Sequence, residues 1–370
     1  MSRRLTRKIT AISQRTCQAA PVSLEGLLKA ASYGYGAVTA LRNRLYRSGY
    51  LVSRKLPCPV ICVGNITAGG TGKTPMTIYL ADLLTRLGRK PVVISRGYKG
   101  SLKTNASVVG NGKDLFLTAE QAGDEPYMMA RLKRFPVVVG KNRYQAGLLA
   151  LDHLAPDTVV LDDGFQHIQL KRDIDLLLMD HDHPLGNGRI LPAGRLREPA
   201  APALARAHAV ILTRCPELLP DKPHLISGLV PHLPIFYTRH QPFPAAFFSA
   251  ENRHRDQENP GLGVFKNRSV VLFSGIADNQ SFYKTITDLG ATIAAHLAFD
   301  DHHHYTQSDI HQIQDLARSV PAQLLVTTEK DWGKLDPHIK WPMDLAVVGV
   351  TIAFEKEKQF QSFVRKHLDI

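Results

Sequence analysis

Short apolar runs recur between residues 59 and 213, and each is rich in valine, isoleucine or leucine. Several are separated by stretches whose apolar residues recur at three- and four-residue steps, as at 75–87 and 122–133. Uninterrupted apolar runs are typical of strands buried on both faces, and their alternation with helices predicts a parallel α/β sheet with helices on both faces. The predicted strands are 59–63, 91–95, 137–140, 158–161, 176–179 and 209–213.

A second strand-and-helix series follows a polar, proline-containing stretch at 251–260, which predicts a loop or insertion. Its predicted strands are 269–273, 292–298, 323–327 and 345–352. We therefore predict a larger α/β domain at 57–235 and a second, smaller α/β domain at 236–355. Residues 356–370 are predicted to form a C-terminal helix.

A helical pattern at 23–50 precedes the first strand. Its apolar stripe consists of Leu24, Leu28, Ala31, Tyr35, Val38, Leu41 and Leu45. Periodicity alone leaves two interpretations open: a helix packed on the body of the protein, or an amphipathic helix on a membrane surface, with arginines that pair with lipid phosphate. We assign residues 1–56 to a basic N-terminal segment that carries this helix.

Charge narrows the choice of partners. The 370-residue chain has 44% hydrophobic and 21% charged residues, as expected of a soluble globular protein, but its formal net charge is +13. That excess indicates an anionic partner: nucleic acid, an anionic membrane surface or a phosphorylated substrate.

The sequence has no run of about 18 uncharged apolar residues, so we expect no membrane-spanning helix. Its four cysteines form no CxxC pair, which favours a reducing cytosol.

Residues 64–74 read GNITAGGTGKT between an apolar strand and a helical pattern. A glycine-rich turn in this context predicts a phosphate-binding loop, in which backbone N–H groups surround the β- and γ-phosphates of a nucleoside triphosphate. The predicted nucleotide-binding residues are Thr67, Ala68, Gly69, Gly70, Thr71, Gly72, Lys73 and Thr74. Lys73 would bridge phosphate oxygens, and Thr74 would ligate Mg²⁺. The larger domain is therefore predicted to resemble P-loop NTPases, although Thr67 replaces the first glycine of the strict pattern.

Two groups of acidic residues accompany this loop. Asp162 and Asp163 end a predicted strand at the edge of the sheet where ligands bind, so we assign them to Mg²⁺; an ordinary Asp-Asp-Gly turn is the alternative. Asp124 and Glu125 precede a helical pattern. Asp124 is either a helix cap or the acceptor of a proton from an attacking hydroxyl, a group that kinases need and GTPase switches do not.

These motifs and several others, in the same order along the chain, resemble the tetraacyldisaccharide 4′-kinase (lipid A 4′-kinase) family. The shared stretches are GNITAGGTGKTP (64–75), SRGYKG (95–100), GDEP (123–126), VVVGKNR (137–143), LDDGFQH (161–167), GRLREP (194–199), FSGIADNQSF (273–282), FDDHHHYT (299–306) and TTEKD (327–331). The resemblance implies that ATP phosphorylates the 4′-hydroxyl of a tetraacyldisaccharide 1-phosphate, a lipid A precursor. It also implies a peripheral protein on the cytoplasmic face of the bacterial inner membrane.

The resemblance further implies roles for individual residues. Asp124 would be the general base, paired with His302, while Lys73 acts on the phosphates. Asp162, Asp163 and Glu198 would lie near Mg²⁺, with Thr74 as the hydroxyl ligand. Because three histidines follow Asp301, a slip between His302 and His303 stays open, as does a metal site formed by these histidines with Asp300 and Asp301.

Basic residues near these motifs are candidates for holding ATP or the substrate's 1-phosphate. They are Arg96, Lys141, Arg143, Arg195 and Arg197. The alternative function is a P-loop nucleotide-dependent switch or maturation ATPase, and residues 210–215 lack the Asn-Lys-x-Asp signature of guanine specificity. We expect an anionic inner-membrane surface as a partner and no nucleic acid, because the sequence has no recognisable RNA- or DNA-binding module.

Overall fold

The computed structural model describes residues 23–219, 225–250, 260–336 and 338–370. The predictions made for residues 1–22 and for all but the last residue of the loop at 251–260 lie outside this part of the chain. Within it, twelve strands form one sheet in the order β10-β9-β11-β12-β8-β7-β6-β1-β5-β2-β4-β3.

The larger half of this sheet contains the predicted parallel strands. They are β1 (Val60–Asn65), β2 (Pro91–Ser95), β4 (Pro136–Gly140), β5 (Thr158–Asp162), β6 (Ile174–Asp180) and β7 (Ala209–Thr213). Its edge strand β3 (Ala106–Asn111) runs antiparallel to β4 and was not predicted. β3 is only partly buried, so its sequence lacks the apolar run that identified the others.

Helices cover both faces of this half, which confirms the predicted fold class. They are α1 (Leu24–Arg47), α2 (Lys73–Arg86), α3 (Ala119–Ala122), α4 (Asp124–Arg131), α5 (Arg143–Leu154), α6 (Ala200–Leu204) and α7 (Leu225–Leu229). Two cores of buried apolar side chains lie on opposite faces. Alternate residues of β1 contribute to the two cores: Ile61 and Val63 pack in one, and Val60 and Cys62 pack in the other.

The smaller half repeats this pattern. Its strands are β9 (Ser269–Ser274), β10 (Thr292–Ala298), β11 (Leu324–Thr328) and β12 (Leu345–Phe354), and a 3₁₀ turn spans Leu262–Phe265. Its helices are α8 (Asn279–Asp288), α9 (Gln307–Ser319) and α10 (Glu329–Trp332). The C-terminal helix α11 (Glu357–Leu368) buries Phe360 and Val364 in a core of the larger half, so the end of the chain returns to the first part of the fold.

A long strand, β8 (Ile235–Phe248), joins the two halves. It begins parallel to β7 and then runs antiparallel to β12. The sequence pattern did not predict this strand, because Pro242 and Pro244 interrupt it. The register with β12 shifts beside Pro244. The predicted domain boundary at 235/236 falls at the start of β8, and the division into two domains stays a prediction.

Helix α1 turns its small side chains toward the protein. Ser32, Gly36 and Thr39 are buried, and a side chain at Gly36 would crowd Ile190. Much of the apolar stripe points away instead: Val38 is 67% exposed and Leu41 58%. The described helices include none long and apolar enough to cross a membrane.

Candidate active site

The phosphate loop follows β1, and α2 begins at Lys73. Gly69 and Gly72 have φ angles of 124° and 77°, in the region that side chains disfavour, so the backbone path depends on these glycines. The Asn65 side chain donates hydrogen bonds of 2.8 Å to the Thr67 carbonyl and to the Thr71 hydroxyl oxygen. The Thr213 hydroxyl on β7 donates to the Thr71 carbonyl at 3.2 Å. These hydrogen bonds hold the phosphate loop to β1 and β7.

The GRLREP segment lies along the outside of this loop. Ala68 N–H donates to the Arg195 carbonyl at 2.7 Å, and Arg195 Nε donates back to the Ala68 carbonyl at 3.0 Å. A side chain at Gly69 would collide with the Arg195 guanidinium. Arg195, predicted as a phosphate-binding candidate, thus lies directly beside the glycines of the loop, whereas Gly70 faces Arg214, which was not predicted.

Asp162 ends β5 and is 2% exposed. Thr77 and Ser95 hydroxyls donate to its two oxygens at 3.2 and 3.1 Å. Burial and the neighbouring carboxylates of Glu125 and Asp163 raise the pKa of Asp162 to about 7. A buried carboxylate with this excess of negative charge suits a bound cation.

Asp163 has a different setting from Asp162. Its backbone is left-handed, with φ of 49°. Arg197 Nη1 donates to both of its oxygens, at 3.0 and 3.1 Å, and Lys73 Nζ lies 4.0 Å away. Asp163 therefore links the loop lysine to Arg197, another predicted candidate.

Glu198, expected near Mg²⁺, is 1% exposed and already surrounded by donors. Arg206 donates to both carboxylate oxygens at 2.7 Å. Gln166 and Asn43 of α1 donate to the same group at 3.0 and 3.3 Å. This arrangement ties Glu198 to a structural ion pair and to the N-terminal helix.

The other basic candidates differ in burial. Arg143 is buried, and its pKa is lowered by desolvation and by the charge of Arg96. Its Nη1 donates to the Lys141 carbonyl at 3.1 Å, whereas the Lys141 side chain and Arg96 lie at the exposed surface. His167, which was quoted only within the LDDGFQH motif, joins this group: burial and the charge of Arg143 lower its pKa to about 4.

Asp124 and His302 come together from different halves of the sheet. Asp124 is the first residue of α4, and its Oδ2 lies 2.9 Å from His302 Nδ1. Burial alone would raise the pKa of Asp124, but the bond to His302 and the charge of Lys334 outweigh it and hold that pKa below its usual value. Gly123, not Asp124, is the N-cap of α4, and the Asp124 side chain contacts His302 instead.

His303 has a separate partner. Its Nε2 lies 3.0 Å from Asp309 Oδ2 in the first turn of α9, and its ring stacks on Phe299 at 4.6 Å between centroids. The structure thus pairs His302, not His303, with Asp124. Among the described residues, no three histidine, cysteine or carboxylate side chains converge on a metal site, and His302 and His303 contact different carboxylates.

Two lysines after β11 complete this region. Lys334 Nζ lies 3.5 Å from Asp124 Oδ2 and 3.0 Å from Asp331 Oδ1. Lys330 Nζ lies 3.2 Å from Asp301 Oδ1 and 3.5 Å from His302 Nε2. Lys330 was named only as part of TTEKD, and Lys334 was not predicted. The available signal for Lys334 was its position three residues after Asp331, a spacing at which the two side chains can pair.

Comparison with known proteins decides the family. The sequence model of the tetraacyldisaccharide-1-P 4′-kinase family matches residues 24–369. The chain belongs to this family. It is 38% identical over 351 residues to the tetraacyldisaccharide 4′-kinase of Desulfatibacillum aliphaticivorans, covering 93% of each chain. It is 42% identical over 320 residues to that of Pelobacter propionicus, covering 85% of this chain and 84% of the relative.

A solved structure agrees with this assignment. The crystal structure of LpxK from Aquifex aeolicus, in complex with ATP, superposes with a TM-score of 0.71 at 31% identity, covering 94% of this chain and 100% of that one. The predicted family, fold class and enzyme class are therefore confirmed. The kinase interpretation is supported over the alternative of a nucleotide-dependent switch or maturation ATPase.

Proposed function

We propose that this 4′-kinase family member transfers the γ-phosphoryl group of ATP to the 4′-hydroxyl of a tetraacyldisaccharide 1-phosphate. The observation that carries the mechanism is the 2.9 Å contact between Asp124 and His302. A sugar hydroxyl is a weak nucleophile, and a carboxylate held by an imidazole can take its proton as the phosphoryl group is transferred. A nucleotide switch, which activates water or waits for a partner, has no need of this pair.

The phosphate loop would hold the triphosphate. Backbone N–H groups of residues 69–74 and the start of α2 supply a site for anionic oxygens, whereas Ala68 N–H already donates to the Arg195 carbonyl. Lys73, kept near Asp163 at 4.0 Å, would neutralise charge on the transferred group. Arg195 lies against Gly69 and would add a second cation at the loop.

Mg²⁺ fits the donors beside the loop. Asp162 is buried near the carboxylates of Glu125 and Asp163, and Thr74 follows Lys73 as the second residue of α2. One carboxylate and one hydroxyl suit an ion that takes its remaining oxygens from phosphates and water. When bound, Mg²⁺ would neutralise the charge that develops on the phosphate oxygens. Asp163 and Glu198 would contribute mainly through their ion pairs with Arg197 and Arg206.

The basic residues around Asp162 suit an anionic substrate. Arg143 is buried close enough to Arg96 for their charges to repel each other. We assign Arg96, Arg143 and Arg197 to the substrate side of the site, because guanidinium groups bind phosphate with paired hydrogen bonds. Lys141 is exposed and would act only as a distant charge.

The membrane surface is the proposed location of this reaction. Leu27 and Tyr33 of α1 are 67% and 70% exposed, and they share that outer surface with Val38 and Leu41. Basic residues of the same helix, such as Lys29 and Arg47, would pair with anionic headgroups of the cytoplasmic leaflet. Asn43 connects α1 to Glu198, so the outer helix and the site form one assembly.

The test is transfer of labelled γ-phosphate from ATP to a tetraacyldisaccharide 1-phosphate presented in anionic vesicles. Unacylated disaccharide 1-phosphate and glucosamine serve as control acceptors, and a chelator tests the need for Mg²⁺. We expect a phosphorylated lipid product that requires Mg²⁺, and little transfer to glucosamine. Equal transfer to all acceptors, or hydrolysis of ATP without a lipid product, would contradict the proposal.

A further inference from the structure

Lys334 occupies an unusual position for a lysine. Its side chain is only 5% exposed, and its ammonium group lies between two carboxylates, at 3.0 Å from Asp331 Oδ1 and 3.5 Å from Asp124 Oδ2. Burying a lysine destabilises the folded state unless its charge is paired, so the two carboxylates around Lys334 account for its burial. The two carboxylates belong to different halves of the sheet.

Asp331 makes this lysine rigid. It is fully buried, and its Oδ2 accepts hydrogen bonds from Gly275 N–H at 2.9 Å and from the Thr328 hydroxyl at 2.7 Å. Its Oδ1 is thereby aimed at Lys334. The smaller half thus presents one fixed cation to Asp124, next to the imidazole of His302.

We propose that Lys334, held by Asp331, is a positioning residue that orients the Asp124 carboxylate for proton transfer and keeps it ionised. His302 Nδ1 and Lys334 Nζ both approach the same oxygen, Asp124 Oδ2. The hydrogen bond with His302 and the nearby charge of Lys334 act on this one oxygen, which restrains the carboxylate and leaves Oδ1 to a substrate hydroxyl. This inference rests on the proposed function, in which Asp124 accepts that proton.

Other charges surround Asp124 and enter any pH argument. The charged or titratable residues that face it or line the adjoining cavity of about 490 Å³ are Lys99, Glu120, Glu125, His302, His304, Lys330 and Lys334. Among the lysines, Lys334 is the one in direct contact with the Asp124 carboxylate. Lys330 contacts Asp301 and His302 instead.

The sign of the pH effect follows from this geometry. Asp124 acts as a carboxylate, so the rate falls when pH drops through its pKa. The charge of Lys334 favours the carboxylate, so its removal moves the acid-side decline of kcat to higher pH, by about one unit. Loss of orientation lowers kcat roughly tenfold at neutral pH, while KM for ATP stays within about twofold.

The experiment compares Lys334→Gln, Lys334→Met and Lys334→Arg with the wild type in the labelled-phosphate assay from pH 4 to 9. Lys284→Met is the matched control, since Lys284 pairs with Asp288 on the exposed face of α8. We expect both neutral variants to show the lower kcat and the shifted decline, Lys334→Arg to restore both in large part, and Lys284→Met to match the wild type.

Folding is checked by thermal unfolding of each variant. If Lys334→Gln folds and keeps the wild-type rate and pH profile, the proposal is wrong. If the neutral variants do not fold, Lys334→Arg decides: a folded arginine variant with the wild-type profile supports the charge role, and one with a shifted profile contradicts it. Asp124→Asn distinguishes the positioning role of Lys334 from the proposed mechanism. If Asp124→Asn loses transfer while the Lys334 variants are unaffected, only the role of Lys334 is wrong. If Asp124→Asn keeps full activity, the proposed mechanism is wrong.

Discussion

The phosphate loop at 64–74 and the histidine loop at 299–306 contribute to one candidate site in different ways. The phosphate loop takes its path from its own glycines, with Asn65 as a local brace. The histidine loop instead reaches Asp124 across 178 residues of sequence. The first loop is shaped largely by its own residues and is also held by Thr213 of β7 and by Arg195, whereas the second contacts Asp124 only when the two halves of the fold meet. We therefore expect that mutations can separate nucleotide binding from phosphoryl transfer.

The largest expected effect comes from breaking the phosphate loop. In Lys73→Ala, transfer should fall roughly 10³-fold, because the charge that develops on the phosphate oxygens loses its nearest cation. Nucleotide affinity should weaken as well, measured by titration with a fluorescent ATP analogue. Normal transfer in this variant would show that residues 64–74 do not cradle the reacting phosphates.

Breaking the histidine loop should have a narrower effect. In His302→Ala, kcat should fall roughly 10²-fold with the affinity for ATP unchanged, because only the partner of the proposed base is lost. His303→Ala is the matched control, because His303 pairs with Asp309 and not with Asp124. If His303→Ala loses as much transfer as His302→Ala, the assignment of the pair is wrong.

A substitution at Glu198 tests whether its ion pair with Arg206 stabilises the fold next to the phosphate loop. In Glu198→Ala, the free energy of unfolding should fall by about 3 kcal/mol, because Arg206 loses the buried partner that accepts two of its three hydrogen bonds. Urea denaturation with and without Mg²⁺ should give the same loss. A loss confined to samples with Mg²⁺ would instead identify Glu198 as a metal ligand.

The smallest effect on chemistry is expected outside both loops, on α1. Replacing the exposed Leu27, Val38 and Leu41 by serine should weaken partition onto anionic vesicles roughly tenfold, because each loses apolar area from the membrane interface. Sedimentation with vesicles measures this, and transfer to a short-chain soluble acceptor should stay within about twofold. Unchanged partition would remove α1 as the membrane contact.

Sequence was sufficient for the parts of the molecule that are encoded locally. The buried runs of β1, β5 and β7 predicted their strands, and GGTGKT predicted the phosphate loop, because spacing and residue type determine these structures. Sequence-based prediction failed where the structure of a segment depends on a partner that is distant in the sequence. Pro242 and Pro244 hid β8, whose prolines are accommodated by a register shift against β12.

The directions in which side chains point could not be predicted from the sequence either. His302 and His303 are identical neighbours, and the left-handed backbone of His302, with φ of 61°, sends them to different carboxylates. The proposed role of Lys334 likewise depends on a contact between distant residues, because Asp331 holds this lysine within 3.5 Å of Asp124 Oδ2. On α1, the small residues rather than the leucines face the protein, since Gly36 lies against Ile190.

The central claim is that Asp124 receives the proton of the acceptor hydroxyl and takes no part in holding ATP, which binds at the phosphate loop. The most direct test is single-turnover transfer of labelled γ-phosphate by Asp124→Asn, together with its affinity for ATP in the presence of Mg²⁺. We predict a rate lower by roughly 10²- to 10⁴-fold with wild-type affinity for ATP. Wild-type transfer, or a loss of ATP affinity that accounts for the whole defect, would contradict the account.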